Sequence, residues 1–206
     1  MAMHYLETMM TESVLRAQHQ YYGHAANITG APERDLLGEG EAEFIAARES
    51  FYLGTVNETG WPYVQHRGGP KGFLRLLTPS TLVFADYQGN RQLLSIGNLS
   101  VDDRVSLFLM DYPNRTRLKI LGHARVEDAR LHPDIAAQLS NPGMRARVER
   151  IVFIDVVSFD WNCPKYITPR YSLEEVEELV GPLKARIAEL EAESRTVKAA
   201  AGFSTT

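Results

Sequence analysis

Three groups of basic residues stand in parts of the chain whose pattern predicts β-structure. The first group begins at Asp86, follows an apolar strand at 81–85 and continues through Gly89, Asn90 and Arg91 into a short helical pattern. A glycine and an arginine at the start of a helix can hold a phosphate, because unpaired backbone N–H groups and the helix dipole face the anion and the guanidinium clamps it. This segment predicts a phosphate site, although the same Gly-Asn pair also occurs in ordinary turns.

A second group could contact the same ligand. Gln65, His66, Arg67 and Gly68 lie at the end of a strand predicted at 61–66. They could line a site or form an ordinary strand end at the surface. Because neighbouring strand residues point to opposite faces, at most one of Gln65 and His66 can face a given site.

The third group lies on a later strand. Arg117 and Lys119 are two residues apart and therefore share one face of that strand. Two neighbouring cations repel each other unless an anion or paired carboxylates lie nearby, which favours a ligand or an interface. Asp111, Asp86 or an acidic residue of a partner chain could be the counter-ion instead. The three groups together suggest one phosphorylated ligand on a β scaffold.

The remaining reactive residues form no recognisable catalytic or metal-binding pattern. Cys163 is the only cysteine, which excludes a disulfide within the chain and a cysteine-based zinc site. It precedes Pro164 and has no adjacent acid–base pair, so we do not expect a nucleophile. No histidine spacing is typical of a metal site. We identify no catalytic residue, and His66 is a candidate only because imidazole suits proton transfer.

Composition limits the class of protein. A net charge of −4 over 206 residues argues against non-specific nucleic-acid binding, which needs a broad basic field. Hydrophobic residues make up 44% of the chain, and no apolar run is long enough to span a bilayer. The first residues lack the pattern of a secretory signal. We therefore expect a cytoplasmic protein without nucleic-acid or membrane partners.

Strand patterns dominate the middle of the chain, with helical patterns on either side. Most connections are too short for crossover helices, which predicts an antiparallel barrel in a mainly β protein with flanking helices. Gly122 is expected to mark a bulge or a close approach, and Gly181-Pro182 a break in the last helix. Strands are predicted at 51–56, 61–66, 73–77, 81–85, 104–111, 118–128 and 150–159, and helices at 11–22, 39–49, 92–99, 129–140, 141–149 and 172–200.

The predicted elements divide one domain into three parts. Residues 1–50 form N-terminal helices and an arm, 51–160 the barrel core, and 161–206 a C-terminal loop and helix. Ser172 and Glu175 have the spacing of a capping box that opens the last helix.

The segment from Phe84 to Arg91, followed by Asn98 and the strand at 105–108, resembles the flavin-binding core of pyridoxamine 5′-phosphate oxidase. In that family an aromatic strand leads to a Ser-Arg-Lys loop that holds the FMN phosphate. Here those three positions are Gly89, Asn90 and Arg91, and Arg117 stands where the oxidase has a flavin-contacting glutamine. The likeness is clear over residues 44–126.

More closely, the whole chain resembles predicted flavin-nucleotide-binding proteins related to that oxidase, notably at 60–70 and 161–167. The resemblance implies an FMN-binding split β-barrel and a homodimer with flavin sites at the interface. It implies an FMN-dependent oxidoreductase acting on a small molecule. The oxidase's C-terminal substrate motif has no clear counterpart, so vitamin B6 oxidation is not expected. The implied cofactor-binding residues are Gln65, His66, Arg67, Gly68, Asp86, Gly89, Asn90, Arg91, Arg117, Lys119 and Trp161.

Three alternatives stay open at this point. Trp161 could flank a flavin ring from the other subunit, or it could anchor the loop that follows. The protein could be a flavin store or sensor without catalytic activity. It could also be a relative that uses the deazaflavin F420 or haem in the same barrel.

Overall fold

The residues that the structure describes form seven strands and six α-helices. The computed structural model describes residues 3–141, 143, 147–161 and 164–200. The strands are β1 (Ser50–Val56), β2 (Pro62–Gly68), β3 (Arg75–Thr78), β4 (Thr81–Tyr87), β5 (Arg104–Asp111), β6 (Thr116–Asp128) and β7 (Val148–Trp161). The helices are α1 (Met3–Met9), α2 (Glu12–Tyr22), α3 (Glu39–Ala46), α4 (Leu94–Leu99), α5 (Pro133–Leu139) and α6 (Leu173–Ala200), with a 3₁₀ turn at Ala129–Leu131.

The described chain divides into two compact units. The first comprises Met1–Asp111 and Arg115–Tyr166 and contains the whole sheet. The second comprises Tyr112–Asn114 and Ile167–Thr206 and contains α6.

All seven strands belong to one antiparallel sheet with the order β2-β1-β5-β6-β7-β4-β3. Mainly β structure with flanking helices was predicted, and this is confirmed. In the described part of the chain, β2 and β3 are the edge strands of the sheet. Backbone hydrogen bonds therefore do not close the sheet into a complete barrel. Side chains bring the two ends together, because Phe51 of β1 lies with its ring centroid 5.4 Å from Phe84 of β4. The result is a split barrel.

The alternation of buried residues defines an inner and an outer face of the sheet. On β1, Phe51, Leu53 and Thr55 are buried and face the core. The core continues across the sheet with Leu107 of β5 and Ile120 of β6, both without solvent exposure. Burying such a side chain stabilises the fold by about 1.5–3 kcal/mol. Burial therefore strongly determines which face of each strand points to the core.

Strands β4 and β7 are buried on both faces. One face packs in the main core, and on the other face Val83, Ile151 and Phe153 pack with Leu139 of α5. This second cluster explains the continuous apolar run in β7, since an alternating pattern is needed only where one face meets water.

Gly122 lies at the expected irregularity. The register of β6 with β7 shifts between Leu121 and Gly122. A Cβ at Gly122 would lie 2.7 Å from the backbone oxygen of Asp155. The predicted close approach is confirmed, and it requires glycine because the neighbouring atom is backbone.

The predicted elements differ from the structure at several places. A helix over 141–149 is wrong, since β7 begins at Val148; Pro142 and 144–146 lie outside the described residues. Helix α1 was not predicted, and α3 ends at Ala46. Helix α6 continues through Pro182 without the expected break. The Ser172–Glu175 capping box is confirmed by reciprocal hydrogen bonds of 2.7 and 3.1 Å.

Candidate functional site

A cavity of about 310 Å³ lies at the open side of the sheet. Its walls come from β2, the end of β4, the connection to α4, and the start of β7. It brings together six of the predicted site residues, namely Gln65, Arg67, Asp86, Gly89, Asn90 and Arg91. The other lining residues are Tyr63, Tyr87, Gln92, Leu93, Leu94, Ser95, Ile96, Glu149 and Arg150.

Strand pairing explains why β2 supplies alternate residues to this cavity. Tyr63, Gln65 and Arg67 lie opposite the three buried residues of β1 in the antiparallel register. Directly opposed residues share one face of a sheet. Gln65 and Arg67 therefore point inward, as the side-chain period of two requires.

Asp86 is the electrostatic centre of the cavity wall. Arg67 donates to its Oδ1 at 2.7 Å, and Arg150 donates from Nε to its Oδ2 at 2.7 Å. The Asp86 side chain is 7% exposed, so the carboxylate is almost removed from water. A buried charge must be paired and hydrogen-bonded, and here two guanidiniums from different strands satisfy it.

Arg150 also donates from its terminal nitrogen to Glu149 at 2.9 Å. Burial acts to lower the pKa of Arg150. The hydrogen bond to Asp86 and the negative charges of Asp86 and Glu149 outweigh burial, so the pKa of Arg150 is raised above its usual value. Arg150 is therefore a permanent cation at the wall.

Arg67 retains unused hydrogen-bonding capacity. Its Nε is buried and has no hydrogen-bond partner within the described part of the chain. Its guanidinium lies 5.6 Å from the Phe84 ring centroid. An unsatisfied buried donor is costly, so this atom is a place where a ligand acceptor would be favourable.

Gln65 is held in place by α4. The Ser95 hydroxyl, which is buried, donates to Oε1 of Gln65 at 2.7 Å. Asn98 on the same helix donates to Thr55 of β1 at 2.9 Å. These two bonds tie α4 to the inner face of β1 and β2 and so set the position of the loop before it.

The 88–93 connection differs from the prediction in one respect. Arg91 does not open a helix, because Arg91 and Leu93 both have left-handed backbone conformations (φ 63° and 55°) and α4 begins only at Leu94. Asn90 instead caps a local turn, with its Oδ1 accepting from the backbone N–H of Gln92 at 3.1 Å. Any anion here would be held by loop and side-chain groups, without the helix dipole.

This loop leaves room and charge for an anion. A Cβ on Gly89 would meet no other atom nearer than 4.0 Å. Arg91 is exposed and forms no ion pair within the described residues. The cavity is lined by three guanidiniums, those of Arg67, Arg91 and Arg150, and by two carboxylates, those of Asp86 and Glu149. One positive charge is therefore left unbalanced. That charge is what a phosphate group would neutralise.

The other predicted residues of β2 lie elsewhere. His66 is on the outer face, where its ring contacts Tyr52 of β1 at 5.6 Å between centroids. Gly68 is on the same outer face. Only the inward-facing half of the 65–68 group lines the cavity.

Arg117 and Lys119 also lie on the outer face. Arg117 lies opposite Met110 of β5, and Lys119 lies opposite Phe108. The core-facing residues of β6 in this stretch are Leu118 and Ile120. Lys119 pairs with Asp160 at 2.8 Å and lies over the Tyr5 ring at 4.6 Å. The expectation that all three basic groups meet at one site is therefore not met within a single chain.

Trp161 acts as an anchor in this chain. Its indole N–H donates to Glu41 at 2.7 Å, and its ring meets Phe44 edge-on at 4.8 Å between centroids. Both contacts hold α3 to the end of β7. Trp161 does not line the cavity, and the neighbouring Cys163 lies outside the described residues.

Sequence reasoning missed the nine other lining residues. Arg150 could have been found, since a buried Asp86 needs a cation and these two residues are opposed on paired strands. Ser95, Tyr63 and Glu149 carry no signal in the sequence alone, because their approach depends on how α4 and the strands pack.

A second, wider cavity of about 620 Å³ adjoins the first and shares Ile96, Glu149 and Arg150 with it. Its rim carries Asp128, whose pKa is lowered to about 2 mainly by the side-chain hydrogen bond from Arg130. The pKa of Glu127 is also lowered, first by its hydrogen bond with His132. Its walls are Leu99, Ser100, Val126, Glu127, Asp128, Arg130 and Arg147 in addition to the shared residues.

The described residues offer neither a metal cluster nor a membrane-spanning helix. They contain no group of three or more histidine, cysteine, aspartate or glutamate side chains that could hold a metal ion. None of the helices described is both long and apolar enough to cross a membrane.

The open antiparallel sheet, whose two ends meet through side chains, defines a split-barrel protein with a cavity that carries one unbalanced positive charge. A model of the pyridoxamine 5'-phosphate oxidase family matches residues 37–151, which is more than half of the chain. The chain belongs to the pyridoxamine 5'-phosphate oxidase family.

Several solved structures are similar to this chain. HupZ from Group A Streptococcus is 12% identical (TM-score 0.49), over 66% of this chain and 100% of HupZ. A candidate pyridoxamine 5'-phosphate oxidase from Lactobacillus delbrueckii is 21% identical (TM-score 0.47), over 61% and 94% of the two chains. An FMN-binding protein from Syntrophomonas wolfei is 12% identical (TM-score 0.44), over 77% and 97%. No curated protein matches the chain significantly in sequence.

Proposed function

We propose that this chain is a flavoprotein that holds FMN by its phosphate in the 310 Å³ cavity and acts as an oxidoreductase on a small molecule. The observation that carries the proposal is Arg91, a cation without an ion-pair partner among the described residues, placed with Arg67 and Arg150 around one cavity. Family membership supports a flavin as the ligand.

Each residue of the cavity has a definable role in such a complex. Arg91 would clamp the phosphate, and the open space above Gly89 would let the phosphate approach the backbone. The buried Nε of Arg67 would donate to a ligand oxygen. Asp86 would keep Arg67 and Arg150 in position. When bound, the flavin would supply the redox chemistry.

The cavity is small for a complete dinucleotide or a large cofactor, since ligand pockets usually measure about 300–1,000 Å³. It suits the phosphate and chain of a mononucleotide, with the ring extending outward. We propose that a second copy of this chain completes the ring site, which makes the protein a homodimer. Arg117 and Lys119 could reach a flavin only from such a partner, because they lie on the outer face of their own sheet. A monomeric mass by light scattering would contradict this.

A flavin store or sensor is the second candidate function. One observation favours it: the described lining residues include no histidine, cysteine or lysine, and both carboxylates are ion-paired. Few groups are therefore free to move a proton. Turnover of reduced nicotinamide or consumption of oxygen by the flavin-loaded protein would favour the oxidoreductase.

The first test is the visible absorption spectrum of the purified protein before and after titration with FMN. Riboflavin, which lacks the phosphate, is the matched control. Tight binding of FMN with much weaker binding of riboflavin supports the phosphate site. Equal binding of both would remove the role of Arg91, and haem or deazaflavin bands without flavin binding would replace FMN as the cofactor.

A further inference from the structure

The last helix carries an exposed apolar seam that the flavin site does not use. Helix α6 is 28 residues long, and nearly all of its side chains described are exposed. Leu183, Ile187, Leu190 and Val197 are between 47% and 66% exposed. Most of the stability of a helix in a protein comes from packing of its apolar face, so an uncovered seam of this kind indicates a partner.

The seam follows the repeat of a coiled coil. Its members alternate in steps of three and four residues, which is the 3.5-residue period that keeps one stripe facing a partner helix. In heptad notation the a and d positions, in chain order, are Val180, Leu183, Ile187, Leu190, Ser194 and Val197.

The residue types at these positions favour two strands. Within residues 183–197, the a position Ile187 is β-branched, and the d positions on either side of it are leucines, Leu183 and Leu190. That combination favours parallel dimers over trimers and tetramers. Ser194 at the next a position is small and polar, which weakens the end of the seam.

The charges beside the seam complement a second copy of the same helix. In a parallel dimer, a g residue faces the e residue five positions later in the partner. Arg186 would face the partner's Glu191, and Glu193 would face the partner's Lys198. Both pairs are attractive and both occur twice by symmetry.

The charge pairs within one helix do not oppose this arrangement. Arg186 pairs with Glu189 at 2.8 Å, and Arg195 approaches Glu191 at 4.0 Å. All four side chains are well exposed, and exposed pairs contribute little. They can exchange partners at small cost.

Pro182 limits the seam on its N-terminal side. Proline has no N–H to donate to the carbonyl four residues earlier, so α6 lacks one backbone hydrogen bond at that point although the helix continues. Leu173 and Val176 continue the same spacing before the proline. We therefore assign the continuous contact to 183–197.

We propose that α6 pairs in parallel with α6 of a second copy of this chain to form a short two-stranded coiled coil. This inference does not depend on the flavin site. A seam of about two heptads is shorter than the three to four heptads typical of isolated coiled coils. It would act together with other contacts between the same two chains, since a second contact gains from high effective concentration.

The test uses the full-length chain with Cys163→Ser, so that introduced cysteines are the only thiols. Val197→Cys places a thiol on the seam, and Ala192→Cys places one on the back of the helix as a matched control. Disulfide formation is followed in a glutathione redox buffer at low protein concentration. In parallel register the Val197→Cys chains should cross-link at least about tenfold faster than the Ala192→Cys control. Adding Ile187→Glu on the seam should abolish this cross-link. Adding Ala188→Glu, which lies off the seam, should leave the cross-link intact.

Three results would overturn the proposal. One is absence of cross-linking at position 197 in protein whose circular dichroism shows intact helix. Another is equal cross-linking at 192 and 197. The third is preferential cross-linking between mixed Leu183→Cys and Ser194→Cys chains, which would indicate an antiparallel pair. A dimeric mass by light scattering does not decide the matter, because barrel contacts could produce it; the site-specific cross-link does.

Discussion

Arg67 of β2 donates a 2.7 Å hydrogen bond to Asp86 of β4, across the open side of the sheet. The two strands share no backbone hydrogen bonds and stand near opposite ends of the strand order. Through its side chains, this ion pair joins the two ends of the sheet that backbone hydrogen bonds leave apart. Because the pair also forms the cavity wall, the stability of the barrel and the shape of the candidate site depend on the same contact.

The first prediction concerns Asp86. Asp86→Asn removes the negative charge shared by Arg67 and Arg150 and leaves two guanidiniums poorly compensated in a buried position. We expect the free energy of unfolding to fall by about 3–5 kcal/mol, the usual cost of breaking a buried pair from one side. Urea denaturation measures this.

Asp102→Asn is the matched control for that experiment, because Asp102 pairs with Arg104 at the surface. It should change stability far less. An equal loss in the two variants would show that the Arg67–Asp86–Arg150 contact has no special structural role.

The second prediction concerns Arg91. If the cavity holds the FMN phosphate, Arg91→Ala should weaken FMN binding by about 10- to 100-fold, the range of roughly 1.5–3 kcal/mol for a hydrogen bond to a charged group. Riboflavin affinity should not change, since it has no phosphate. Quenching of flavin fluorescence on titration measures both.

Arg16→Ala on α2 removes an exposed arginine that pairs only with Glu12 among the described residues and controls for the loss of one positive charge. It should leave FMN affinity unaltered. Unchanged affinity in Arg91→Ala would place the phosphate elsewhere.

The third prediction concerns Gly122. A methyl group there would collide with the backbone of β7, so Gly122→Ala should destabilise the protein by about 1–3 kcal/mol, as overpacking usually does. Gly40→Ala within α3 meets open space and should instead stabilise by about 0.5–1 kcal/mol. Thermal unfolding of the two variants compares the effects, and a neutral Gly122→Ala would mean that the β6 bulge can relax.

The fourth prediction concerns pH. The pKa of Asp128 is lowered from 3.8 to about 2 in the folded protein, first by the side-chain hydrogen bond from Arg130. A lowered folded-state pKa means that this group stabilises the fold above its unfolded pKa and that the contribution is lost as pH falls from about 4 to about 2. Carboxyl chemical shifts recorded through an acid titration by NMR give the pKa directly.

In Arg130→Gln the pKa of Asp128 should return towards 3.8, because the main cause of its shift has been removed. A titration midpoint that stays near 2 in that variant would assign the shift to the backbone hydrogen bond and to other charges.

Local pattern was sufficient for most of the barrel. Short strands with connections too short for crossover helices predicted antiparallel pairing, and the side-chain period of two implied that Gln65 and His66 must point to opposite faces. The predicted helix over 141–149 was wrong at its end, where Val148 and Glu149 form the start of β7. Pairing with β4 places this stretch in the sheet.

By itself, the sequence determined the strand elements, the close approach at Gly122 and the loop that brings Gly89, Asn90 and Arg91 to one cavity. These features depend on neighbours along the chain, through side-chain period and turn geometry. Only the tertiary structure decided that Arg150 shares Asp86 with Arg67, and that Arg117 and Lys119 lie on the outer face. Those placements depend on strand order and on which face of each strand is buried, and both are set by packing between residues far apart in sequence.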